Sequence, residues 1–126
     1  MSSRRIPVLA LVADVVAVVV FAAIGRMNHS ASDDLLGLAG TAAPFLVGLV
    51  AAWATPVVRA QPAGLKAGSV VLAGTVVIGL AVRAGFTGRL PLSFALVTAV
   101  ALAVLLLGWR GLSLLVSRRT ADRALR

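Results

Sequence analysis

The sequence predicts an all-α protein, a single integral membrane domain over residues 1-126 built as a four-transmembrane-helix bundle with both termini cytoplasmic. Three observations carry this. Hydrophobic residues make up 60% of the 126 and charged residues only 13%, too few to give a soluble domain of this size a polar exterior. The apolar residues fall in four runs, about 6-24, 35-58, 67-84 and 92-116, each near or above the length of a spanning helix. No run alternates apolar and polar residues over about ten positions as a barrel strand would.

The first run, Ile6 to Ile24, is about 28 Å long as a helix and has one charged member, Asp14, near its centre. A carboxylate at that depth costs about 2.5–3.5 kcal/mol on insertion scales, so it is expected to face protein or water and to have a partner. Arg4 and Arg5 precede the run as in a signal peptide. Its length, its central Asp14 and the three runs after it point instead to a retained first helix.

The connector that follows holds Arg26, His29, Asp33 and Asp34. Ser32 is placed to cap the next helix, with the two carboxylates in or beside its first turn. The second run contains Pro44, which removes a backbone donor and lets the helix bend, and Trp53, expected to anchor the helix at the interface. Pro56 and Pro62 bracket the turn after it. The third run opens in a GxxxG spacing, Gly64 and Gly68, and continues with Gly74, Gly79 and Gly85, a supply of small residues suited to close packing or to contact with a partner. Arg83 lies near its end and Arg89 in the connector beyond. Pro91 restarts the chain as a fourth run that carries Trp109 and Arg110.

Charge sets the orientation. Arg4, Arg5, Arg59, Lys66, Arg118, Arg119, Arg123 and Arg126 lie on one side and Arg26, Arg83 and Arg89 on the other, eight against three, which places both termini inside by the positive-inside rule. The excess of twelve Lys and Arg over four Asp and Glu is thereby topological and does not mark nucleic acid as a partner. The chain lacks cysteine, so thiolate chemistry and sulfur-ligated metals drop out, and one histidine does not make a zinc site. HExxH, GxxxxGK[ST] and GxSxG are all missing, and nothing in the sequence supports an enzyme or a bound cofactor.

Two constellations remain. Asp14 lies eight residues above Ile6, about 12 Å, and Arg110 six residues above Val116, about 9 Å, so in oppositely directed helices they can meet. The alternative is that Arg110 snorkels to the headgroups while Asp14 bonds a neighbouring threonine. On the other side Arg26, His29, Arg83 and Arg89 could hold an anionic solute or a lipid headgroup, or serve only as interface anchors and partners of Asp33 and Asp34.

With GRMNH after the first run, APF at Ala43 to Phe45, Arg83 ahead of the GFTG that ends at Gly88, and GWR at Gly108 to Arg110, nearly the whole chain resembles a family of small bacterial membrane proteins of unknown function. That family is common in actinobacteria. The resemblance implies four spans in the bacterial inner (cell) membrane and no particular activity. The architecture is also similar to that of small multidrug-resistance transporters, which are dimers with an acid in the first helix. This chain departs from them in having no tyrosine, Asp for Glu, and arginines that would repel a cation.

These readings leave two expectations for function. One is a small transporter or channel, a homo-oligomer in which Asp14 and Arg110 form a gate or proton-coupling pair. The other is a non-transporting accessory or packing subunit, with the glycine-rich third helix against a partner, or a protein that binds lipid or pigment between its helices.

Overall fold

The computed structural model describes residues 5–28 and 35–124, and the side chains of 7–25, 38–120, 123 and 124. The chain forms α1 (Arg5–Asn28), α2 (Leu35–Trp53), a short α3 (Pro56–Ala60), α4 (Leu65–Thr87) and α5 (Leu92–Ala124). Among the described residues three helical segments are long and apolar enough to cross a membrane, Pro7–Gly25, Leu65–Thr87 and Leu92–Thr120, and Leu38–Trp53 is a shorter apolar one.

The second apolar run is not one helix to Val58. It ends at Trp53, because Pro56 has no amide hydrogen to continue the ladder and excludes helical backbone at the residue before it. Thr55 accordingly takes an extended conformation (φ −79°, ψ 145°) and begins α3. Arg59 Nη2 donates to the Ala54 carbonyl at 3.1 Å and folds α3 back on the end of α2. α4 runs one turn further at its C-terminus than its apolar run, to Thr87, and is capped by Gly88. There φ is +71°, a conformation glycine adopts at little cost, and the Gly88 amide donates to the Ala84 carbonyl at 2.8 Å. α5 also exceeds its run, continuing beyond Val116 through the basic segment to Ala124. Its 33 residues measure about 50 Å, against about 30 Å for a bilayer's hydrocarbon core.

The helices pack in a ring, α1 on α2, α2 on α4, α4 on α5, and α5 back on α1. The core is drawn from all four: Val18 and Phe21 of α1, Phe45 and Leu49 of α2, Val71 and Leu80 of α4, Leu102 and Leu106 of α5. Phe21 and Phe45 meet edge to face with centroids 5.2 Å apart. The closest seam is α2 on α4, and glycines make it. A Cβ at Gly48 would lie 2.6 Å from the Gly74 carbonyl oxygen, one at Gly74 2.9 Å from Ala52 Cβ, and one at Gly79 would fall on the Phe45 ring. Of the α4 glycines, Gly68, Gly74 and Gly79 are therefore packed closely within the chain, as one of the two readings of the run expects, and Gly85 has nothing within 4 Å. The loosest of the four seams is α1 on α5.

This packing predicts opposite outcomes for two similar substitutions. Gly48→Ala should destabilise the fold by about 1–3 kcal/mol, since the atom it meets is backbone and cannot swing aside. Gly108→Ala, on an open surface with nothing within 4 Å, should be neutral or stabilise by up to about 1 kcal/mol through helix propensity. Thermal unfolding in detergent by circular dichroism measures both, and equal midpoints for the two variants would refute the glycine seam.

Candidate functional site

Asp14 sits on the third turn of α1 and is completely buried. Its carboxylate accepts four hydrogen bonds, two on each oxygen. Arg110 Nη1 donates to Oδ1 and Nη2 to Oδ2, both at 2.8 Å, forming a bidentate pair. Trp109 Nε1 donates to Oδ1 and Trp53 Nε1 to Oδ2, both at 2.9 Å. Two N–H donors per oxygen fill the lone-pair positions of a carboxylate.

Arg110 is also completely buried, and four of its five N–H groups have acceptors, two of them on Asp14. Nε donates to the Pro62 carbonyl at 3.0 Å and Nη1 to the Leu106 carbonyl at 3.1 Å, while the guanidinium lies 4.4 Å over the Trp109 ring. Room for this side chain comes from Gly68, where a Cβ would lie 2.6 Å from Arg110 Cδ and 2.8 Å from a Leu107 methyl. The assembly ties together α1 (Asp14), α2 (Trp53), the segment before α4 (Pro62) and α5 (Trp109 and Arg110). It spans the loosest seam of the ring, between α1 and α5. A buried pair of opposite charges is tolerable when its geometry is good and its spare donors and acceptors are occupied. Here the pair is bidentate, both carboxylate oxygens are filled, and four of the five guanidinium N–H groups are bonded.

Among the other candidates, Arg83 is half-buried and its guanidinium lies 4.5 Å over the Phe94 ring of α5. Arg89 is exposed in the connector, its amide donating to Thr87 Oγ1 at 3.3 Å. The Arg26 side chain, and His29, Asp33 and Asp34 entirely, lie outside the described residues. Thr87 Oγ1 also donates to the Arg83 carbonyl at 3.0 Å, so this one hydroxyl touches the backbone of both arginines. The described residues contain no cluster of metal-ligating side chains.

Sequence reasoning missed both tryptophans and the Pro62 carbonyl. Trp53 does not serve as a headgroup anchor with its N–H in water, because that N–H is bound to Asp14. A signal was present in the same depth argument that pairs Asp14 with Arg110: Trp109 is its neighbour, and Trp53 precedes the connector on the same side.

Among the described residues, open cavities at the helix ends include three that lie away from the carboxylate. One of about 590 Å³ is lined by Pro7, Leu114 and residues 59–64, one of about 620 Å³ borders α3 and the start of α4, and one of about 460 Å³ lies between α2 and α4 at the opposite end. None has Asp14, Trp53, Trp109 or Arg110 in its wall.

Residues 11–113 match the family described as "Protein of unknown function (DUF3054)". The chain belongs to that family. The matched segment contains all of Asp14, Trp53, Arg83, Trp109 and Arg110, so the buried pair lies within the shared domain of this DUF3054 protein. No curated protein and no solved structure matches the chain.

The pair makes a prediction for stability. Asp14→Ala and Arg110→Ala should each cost about 3–5 kcal/mol, since each strands a buried charge, whereas Asp14→Leu/Arg110→Met should recover most of that loss. Trp53→Phe and Trp109→Phe should each cost about 1.5–3 kcal/mol, the worth of a hydrogen bond to a charged group. Chemical unfolding in detergent tests this, and strictly additive losses in the Asp14 and Arg110 cycle would exclude direct coupling.

Proposed function

We propose that this DUF3054 protein is a four-span protein of the bacterial cell membrane with both termini in the cytoplasm, and that its role is non-transporting. In this reading it is a small packing or accessory subunit whose Asp14–Arg110 pair fixes the register of its helices. α2 serves as the fourth span: its 19 residues measure about 28 Å, enough to cross the hydrocarbon core. The orientation is supported by the way Pro7, the Arg59-bearing connector and Leu114 line one cavity, which gathers the start of α1, the second connector and the basic end of α5 at the same end of the bundle.

The single observation that carries the non-transporting role is the completeness of the Asp14 site. A carboxylate that binds and releases a proton or an ion needs a free lone pair and a route to water. Here each oxygen already accepts two N–H groups, the residue is wholly buried, and it lines none of the three cavities described above. Buried polar networks of this kind serve in some proteins to specify one packing arrangement over others.

A second reading, a small channel or proton-coupled transporter for an anionic solute, is favoured by one contact. The Pro62 carbonyl that accepts from Arg110 belongs to a residue in the wall of the 590 Å³ cavity, so movement of the connector would open the pair from that end.

Liposome reconstitution separates the two. The packing reading predicts proton and chloride fluxes equal to those of protein-free liposomes, for the wild type and for Asp14→Leu/Arg110→Met alike. A pH-dependent flux carried by the wild type and lost in Asp14→Asn would establish the second reading in its place.

A further inference from the structure

At the end of the bundle opposite the Asp14–Arg110 pair, residues of α2 and α4 line a groove of about 460 Å³. Ala43, Pro44 and Val47 of α2 and Val82 and Phe86 of α4 make it apolar, and Phe86 itself is 84% exposed. Its volume lies within the range of small-ligand sites, about 300–1,000 Å³. Arg83 lines the same groove. The guanidinium lies 4.5 Å over the Phe94 ring, a stacking that holds it without using any of its N–H groups. Among the described residues it makes no hydrogen bond and no ion pair. A half-buried cation whose in-plane donors are unspent among the described residues, set in an apolar groove, matches an anion that carries a hydrocarbon tail. Phosphate oxygens fit those donors in bidentate fashion, as a carboxylate does at Arg110.

We propose that this groove binds one anionic phospholipid from the surrounding bilayer, its phosphate on Arg83 and part of an acyl chain between α2 and α4. The inference rests on the membrane-spanning reading above and is independent of whether the protein transports anything. Charge complementarity selects the occupant. A zwitterionic lipid offers the same tail and phosphate, but its own ammonium competes for the phosphate and carries a positive charge toward Arg83. A free anion would leave the apolar wall uncovered.

Native mass spectrometry and thermal unfolding of the full chain in detergent, titrated with dioleoylphosphatidylglycerol, dioleoylphosphatidylcholine or inorganic phosphate, test the assignment. The wild type should retain one phosphatidylglycerol in preference to phosphatidylcholine and be stabilised by it, while inorganic phosphate has no effect. Arg83→Gln should weaken phosphatidylglycerol binding about tenfold, the loss of a charge-assisted contact, and bring it level with phosphatidylcholine. Val47→Trp, which fills the groove, should weaken both lipids. Arg118→Gln, exposed near the far end of α5, should leave the preference intact. Equal retention of the two lipids by the wild type, a preference that survives Arg83→Gln, or stabilisation by inorganic phosphate alone would each overturn the proposal. Release of the protein from membranes by alkaline carbonate would instead defeat the spanning reading, and that assay uses no added lipid.

Discussion

The carboxylate of Asp14 governs this structure. Placed without partners in an apolar helix it would be the most expensive group in the chain, and the bundle is arranged so that it is never without them. Two arginine nitrogens and two indole nitrogens meet it from α2 and α5, and the arginine in turn reaches the backbone ahead of α4. Each helix of the ring is thus referred to one point. Apolar packing in lipid distinguishes poorly between one helix register and the next, because the tails of the lipid are as apolar as the side chains. A four-donor site does distinguish them: a shift of one residue on α5 would turn Arg110 away from the seam and leave two charges buried and unpaired.

Small residues make that site reachable. Gly48, Gly74 and Gly79 draw α2 onto α4, and Gly68 clears the volume that the Arg110 side chain fills. The glycines and the ion pair are consequently parts of one device, the first bringing the backbones close and the second fixing where along their length they meet. The α1–α5 seam, which has the least packing of the four, is the one the pair crosses.

Much of this was legible in the sequence. The apolar runs locate the helices, and Asp14 is conspicuous as a lone charge. Counting residues from the ends of oppositely directed helices brings Arg110 to its depth. The tryptophans were legible only in depth: counting along the helices brings them near the pair, but an indole with one apolar body and one donor suits a membrane interface as well as a buried acceptor, and hydropathy does not separate the two. The Pro62 contact runs through a backbone carbonyl, which every residue has. The end of α2 at Trp53 was written in Pro56, yet the apolar run continues to Val58 and hides the break. The glycines of α4 were visible as small residues, but which helix they admit depends on the ring order, and the sequence carries only the spacing.

A closed, fully partnered carboxylate and a solute-coupled one differ in whether water reaches the indole donors. The most direct measurement is hydrogen exchange of the Trp53 and Trp109 indole N–H groups, followed by nitrogen-15 NMR after transfer of the detergent-solubilised protein to D2O. The account predicts two indole resonances that persist for hours and that both move in Asp14→Asn. Exchange of both within the dead time, with shifts indifferent to Asp14→Asn, would contradict it.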